Sequence, residues 1–367
     1  MNVAQREMSS SYMEWAKTRS QARFNLATSG LAHFPLAELP VRIEDLELSG
    51  PSYYGYPPLQ QAIAAKCGVR PECVVAANGT SMANHLAMAA LIKPGDEVLI
   101  EQPTYQLLPA TARYLGAAVK RFTRSFDNDF HLEPGQVERA VSSRTRLIII
   151  TNLHNPSSAL TRNETLLQVG EIARRIGARV LVDEVYLAAA FERAPRSAFH
   201  LGDVFITTNS LTKVYGLSGL RCGWILAPPE LATRIWRLND LFGVIPAHPA
   251  ERLSCIALAH LDQIAGWARR LLEANRLLLN RFLASRDDLR FIQLEFGTVS
   301  FPQLRRGSVE RLCALLKEKY ETSVVPGHFF EMPQHFRLGI GGETAMVEAG
   351  LERLGAALDE LSERNSS

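Results

Sequence analysis

Between residues 74 and 228 the chain alternates short, strongly apolar runs with helix-like stretches, and this alternation constrains the fold more than any other feature. The runs beginning at Val74, Asp96, Ala117, Thr145, Ala178, Val204 and Cys222 are rich in Val, Ile and Leu. Roughly seven strands can be counted in this way. Separated by stretches long enough for a helix, they predict a mostly parallel sheet covered by helices on both faces. After Pro229 the pattern changes. Residues 230–241, 250–264, 267–285, 308–320 and 344–362 read as helices, with short strands at 289–294, 298–301 and 322–327 between them. This predicts a smaller α+β domain. The N-terminal segment completes it, with a short helix over 11–23 after a Ser cap and an extended stretch from Asn25 to Gly30. The expected division is a large domain over 46–245, and a small one made of 1–45 and 246–367.

A length of 367 residues, 47% apolar and 21% charged, is that of an ordinary globular chain of one large or two medium domains. The net charge of +2 argues against a nucleic-acid face or a polybasic membrane patch. Five cysteines (Cys67, Cys73, Cys222, Cys255, Cys313) are scattered without a C-x-x-C pair. They read as small buried hydrophobes, so neither a disulfide frame nor a metal site is expected. The opening Met1-Asn-Val-Ala-Gln-Arg-Glu7 lacks an apolar leader, and no run is long enough to span a bilayer. The expected compartment is the cytoplasm.

The chemistry concentrates in Asn209-Ser-Leu-Thr-Lys213-Val-Tyr-Gly-Leu-Ser-Gly-Leu-Arg221-Cys-Gly-Trp224, which leaves the end of a buried strand. Ser210 and Arg221 suit a phosphate, with arginine giving forked donation. Lys213 is an amine able to form a Schiff base if its pKa is lowered. Glycines at 216, 219 and 223 permit close backbone approach. One phosphorylated aldehyde satisfies all of these together: pyridoxal 5′-phosphate. Upstream, Asn78-Gly79-Thr80-Ser81 joins a strand to an apolar-periodic helix, whose free N–H groups would cradle a phosphate. Asp183 ends another apolar strand, where a carboxylate needs a cationic partner. Glu184, pointing the other way along an extended chain, is left as structural. Thr161-Arg-Asn-Glu164 has the spacing of a capping box.

Ser-x-Thr-Lys followed by Gly-x-x-Gly-x-Arg-x-Gly resembles the cofactor-lysine signature of class I/II aminotransferases, the fold-type I pyridoxal phosphate enzymes. Other motifs follow in that family's order over almost the whole chain. The resemblance implies that Gly79, Thr80, Ser81, Ser210 and Arg221 hold the phosphate, and that Tyr105 stacks on the pyridine ring. It implies Asn155 and Tyr186 as ligands of the ring hydroxyl oxygen, and Asp183 as partner of the ring nitrogen. Arg337 would take the substrate α-carboxylate, with Gly30 beside it. Tyr54 would reach the phosphate of a neighbouring subunit, with Tyr53 and Tyr56 as open alternatives. One departure stands out: the family's Asn-Pro-x-x-Pro-Thr-Gly is here Asn155-Pro-Ser-Ser-Ala-Leu-Thr161, without the second proline and the glycine.

The implied activity is transfer of an amino group between an L-amino acid and a 2-oxo acid, by a homodimer. The alternative is another pyridoxal phosphate reaction on the same fold: β-elimination or C–S lysis, decarboxylation, cyclisation or oxidation. A regulator that binds the cofactor without catalysis is a further alternative, but it usually carries a DNA-binding domain and none is evident. A nucleotide-binding protein would need Gly-x-Gly-x-x-Gly after the first strand, and Asn78-Gly-Thr-Ser-Met-Ala is not that.

Overall fold

Seven strands form the central sheet: β1 (Val74–Asn78), β2 (Glu97–Gln102), β3 (Ala118–Thr123), β4 (Thr145–Thr151), β5 (Arg179–Asp183), β6 (Phe205–Ser210) and β7 (Cys222–Leu226). They lie in the order β1-β7-β6-β5-β4-β2-β3. All neighbours are parallel except β7, which runs antiparallel to both β1 and β6. The computed structural model describes residues 7–366. The expected leader-free start at Met1 and the final Ser367 lie outside the described residues.

The apolar runs are continuous because the sheet is covered on both faces. Along β4 and β5, Leu147, Ile149 and Leu181 join the larger core, whereas Ile148, Ile150, Val180 and Val182 join a second core on the opposite face. Helix Gly79–Leu91 contributes Ala83, Leu86 and Ala87 to the first, and helix Asn163–Arg175 contributes Leu166, Val169 and Ile172 to the second.

The smaller unit is built on helices Leu261–Ala284, Val309–Tyr320 and Thr344–Ser366. Its strand Phe336–Gly339 lies antiparallel between Val299–Ser300 and Val325–Pro326. The N-terminal Phe24–Asn25 adds in parallel to Thr322–Ser323. Several expectations need correction, among them the helices expected over 250–264 and 267–285, which are His248–Ala259 and Leu261–Ala284. The expected strand 289–294 is reduced to Leu289–Arg290. Helix Asn163–Arg175 begins without a side-chain cap, since Thr161 is engaged elsewhere. Its Oγ1 accepts from the buried Arg124, 3.3 Å away, whose guanidinium also pairs with Glu101 at 2.8 Å. A buried cation must fill its donor positions, and that demand outweighs a helix cap.

The first helix, Ser11–Thr18, is shorter than expected but does start after a serine cap: Ser10 Oγ accepts from Met13 N at 3.2 Å. Gln106 fixes it to the large sheet. Its Oε1 accepts from Ser10 Oγ at 2.7 Å and from Tyr12 N at 2.8 Å.

Candidate active site

The strand register sets Thr151, Asp183 and Thr208 side by side at the carboxyl ends of β4, β5 and β6. That is where ligands sit in open α/β sheets. A cavity of about 310 Å³ opens there. Of the residues proposed from sequence, Thr80, Ser81, Tyr105, Asn155, Asp183, Tyr186, Ser210, Lys213 and Arg221 all line it.

One end of the cavity is an anion cradle. Helix Gly79–Leu91 points its first turn inward, and Gly79 N donates to Arg221 O at 2.7 Å. The turn is tight: Gly79 has φ +77°, and a Cβ there would run into the Arg221 guanidinium. A Cβ on Gly223 of β7 would in turn strike the Gly79 backbone. Among the described residues, Arg221 Nη2 reaches only the Asn78 carbonyl, at 3.4 Å, and Nη1 only the Ser218 carbonyl, at 3.5 Å. Thr80 Oγ1 and Thr212 Oγ1, which line the same cavity, are buried without a hydrogen-bond partner among the described residues.

The middle of the cavity holds a carboxylate and an amine. Asp183 Oδ2 accepts from Asn84 Nδ2 at 2.7 Å, and Oδ1 from Val185 N at 3.1 Å. Burial still pushes its carboxyl up to about 6, against those two donors. Asn84 is oriented by Thr208 Oγ1, which donates to its Oδ1 at 2.6 Å. Lys213 Nζ donates to Ser29 Oγ at 3.1 Å, and Tyr186 OH donates to the same oxygen at 2.7 Å. Burial holds the lysine below its ordinary range; Arg337 and Arg221 add to this, while Tyr12 and Asp183 oppose it. Tyr105 packs edge-on to Tyr12, with centroids 5.7 Å apart.

At the far end Arg337 stands behind Asn155 and Tyr12, both of which line the cavity. Its Nη1 donates to Asn155 Oδ1 at 3.0 Å, and its Nη2 to Tyr12 OH at 3.0 Å and to Ala27 O at 3.1 Å. Arg337 is 1% exposed, and no carboxylate pairs with it among the described residues. Its Nε is buried and unpartnered. The Asn155 amide is oriented by this contact, so Nδ2 is left to donate into the cavity.

Gly30 is beside Lys213 and not on the cavity wall: Leu31 N donates to Lys213 O at 2.9 Å, and a Cβ at Gly30 would touch Lys213 Cδ at 3.5 Å. Tyr54 is not brought into this chain's own cavity. It is 55% exposed, and its hydroxyl donates to Asp240 Oδ2 at 3.0 Å. Tyr53 is 66% exposed, and Tyr56 packs edge-on against His248, so neither of these reaches the cavity.

A family model described as aminotransferase class I and II matches residues 43–354. The chain belongs to the class I and II aminotransferase family. The chain is 29% identical to the capreomycidine synthase of Streptomyces vinaceus, over 94% of this chain and 92% of that one. It is 26% identical to an aspartate aminotransferase of Streptomyces avermitilis, over 91% and 89%. Among solved structures, a pyridoxal phosphate-dependent aminotransferase from Streptococcus suis superposes with a TM-score of 0.90 at 27% identity, covering 98% of this chain and 99% of that one.

Pyridoxal 5′-phosphate is this aminotransferase's cofactor, and the residues fit it. The orphaned hydroxyls of Thr80 and Thr212 and the free faces of Arg221 suit a phosphate. The raised carboxyl of Asp183 suits a cationic ring nitrogen. The altered loop after Asn155 is fixed by its own contacts. Ser158 takes φ +63°, a conformation that favours glycine. It is held there by Ser158 N donating to His154 O at 2.7 Å and Ser158 Oγ donating to Val299 O at 2.7 Å.

Three site residues of the aminotransferase escaped sequence reasoning: Tyr12, Ser29 and Asn84. Asn84 carried a signal, as a polar residue on the buried face of an apolar helix. Tyr12 and Ser29 lie in the N-terminal segment, outside any motif.

Proposed function

We propose that this aminotransferase moves an amino group between an L-amino acid and a 2-oxo acid, with Lys213 as its covalent and proton-transferring residue and Arg337 as its carboxylate site. One observation carries the reading: a buried guanidinium with no anionic partner among the described residues stands directly behind Tyr12 and Asn155, which line the same cavity as a buried amine held below its ordinary range. An uncompensated buried charge is costly, and a substrate carboxylate supplies the missing anion with forked geometry.

When bound, pyridoxal phosphate supplies an aldehyde that condenses with amines and a ring that accepts electron density. The protein's part is positional and acid–base. Thr80, Ser81, Ser210, Arg221 and the Gly79 turn hold the phosphate. Asp183 keeps the ring nitrogen protonated. Asn155 Nδ2 would donate to the ring hydroxyl oxygen, Tyr186 OH would do so on turning from Ser29 Oγ, and the Tyr105 ring would stack on the cofactor. Lys213 Nζ would take the proton from the substrate Cα and return it to the cofactor's aldehyde carbon. Its depressed pKa leaves a larger share of the amine neutral and able to do so.

We read the working molecule as a homodimer. Support comes from exposed apolar side chains on two segments that touch each other: Ile43, Leu48, Tyr53 and Tyr54 on one, Leu241, Phe242 and Val244 on the other. Tyr54 bonds Asp240 across them, and Arg252 bonds Glu47 at 2.6 Å. Tyr54 on this face would serve the phosphate of the second subunit. The division into a large domain over 46–245 and a small one from the remainder is retained as the working description. All five cysteines are free, which suits a reducing compartment such as the cytoplasm.

The test is a spectrum of the purified protein as amino acids are added singly. Loss of the cofactor's visible band with one amino acid, and its return with a 2-oxo acid, is the expected result. Release of ammonia, carbon dioxide or thiol, or formation of a cyclised product, would move the reading to the alternative chemistry. Similarity to a capreomycidine synthase is the observation that favours that alternative. Lys213→Ala should lose the visible band of the bound cofactor and at least about 10²–10⁴-fold in turnover; retention of both would remove Lys213 from its role.

A further inference from the structure

We propose that Tyr12 is a second donor to the substrate α-carboxylate, completing the site that Arg337 begins; the proposal rests on the reading of Arg337 given above. The Tyr12 hydroxyl accepts from Arg337 Nη2 at 3.0 Å. A phenol has one proton to give, and an oxygen already receiving a hydrogen bond keeps that proton for another acceptor. Tyr12 OH donates to no group among the described residues, and the side chain lines the cavity. A carboxylate drawn to Arg337 meets this O–H as well as the guanidinium. The Arg337–Tyr12 contact also polarises the phenol toward donation, because the cation withdraws charge from its oxygen.

The placement of Tyr12 is not incidental. Its backbone N–H is bound by Gln106 Oε1 at 2.8 Å, adjacent in sequence to Tyr105. Its ring is enclosed by Tyr105 at 5.7 Å and Phe329 at 5.6 Å, both edge-on, and is 7% exposed. The helix Ser11–Thr18 therefore delivers a fixed hydroxyl, which loses little freedom on engaging a ligand.

Tyr12→Phe keeps the ring and its contacts and removes only the hydroxyl. In the holoenzyme it should raise KM for the amino acid that serves best in the spectral titration about tenfold, with kcat changed less than about twofold, as expected for loss of a charge-assisted hydrogen bond. The dissociation constant of 2-methylalanine, which has no Cα proton to lose, should rise by a similar factor when read from the spectrum. Binding of the corresponding primary amine, which has no carboxylate, should not change. Unaltered KM and 2-methylalanine binding in Tyr12→Phe, or an equal loss for the amine, would overturn the proposal. Arg337→Lys separates the two levels. If it impairs amino acid binding while Tyr12→Phe is silent, only Tyr12 is misassigned; if both are silent, the carboxylate docks elsewhere and the reading of Arg337 fails too.

Discussion

Asp183 shows at the scale of one residue how burial stores a demand for a partner. Its carboxyl titrates near 6 rather than at its ordinary 3.8, with burial as the largest cause. The native state therefore holds this proton more tightly than the unfolded chain. The sign follows: stability from this group is fully present below about 3.8 and is lost as pH rises through about 6. A cation beside the carboxylate reverses the penalty. The gain in melting temperature on adding cofactor to stripped protein should thus be larger at about pH 7.5 than at about pH 5, and a thermal melt at both values tests this. Asp183→Asn should abolish the difference and lower turnover by about two to three orders of magnitude, by removing the charge that keeps the ring nitrogen protonated. A variant that kept the pH-dependent gain would assign it to another group.

Among the elements, the contact between helix Gly79–Leu91 and β7 is the most exacting. Gly223 leaves room for Gly79, and Gly79 leaves room for the Arg221 guanidinium. Gly223→Ala should cost about 1–3 kcal/mol in denaturant unfolding of cofactor-free protein, and should weaken cofactor binding in a fluorescence titration. A variant of unchanged stability would mean that the helix shifts freely on the sheet. The glycine spacing was legible in the sequence because the lysine segment is continuous, and so was the sheet, whose strands are apolar on both faces. The reason for Gly223 was not legible, since it depends on a turn more than a hundred residues upstream. The same limit explains Thr161, whose capping pattern was real but whose hydroxyl is taken by Arg124 from another strand. Asn155 was legible by motif, yet the direction of its amide is set by Arg337, far along the chain. Ser29 and Tyr12 had no motif to announce them; their value arises only where Lys213 and Arg337 meet the N-terminal segment.

For the whole molecule, the consequential surface is the exposed apolar face around Leu48, 85% exposed, and Leu241, 78% exposed. Patches of this kind on a folded chain mark association sites. Leu48→Glu combined with Leu241→Glu should turn a dimer into a monomer by analytical ultracentrifugation, with loss of activity if Tyr54 serves the opposite subunit. Tyr54→Phe should leave the dimer intact and weaken cofactor retention about tenfold, the loss expected for one hydrogen bond to a charged phosphate. A monomeric wild-type protein would end this reading. The N-terminal helix has a consequence of a different kind. Met13, Trp15 and Ala16 wall the cavity from a segment that supplies none of the groups proposed to hold the cofactor. Substitutions at these three positions should change substrate preference with little effect on cofactor binding, which a substrate panel and a cofactor titration of each variant would check. A combinatorial library confined to these three codons would sample new side-chain pockets, making helix Ser11–Thr18 the natural place to retarget the enzyme.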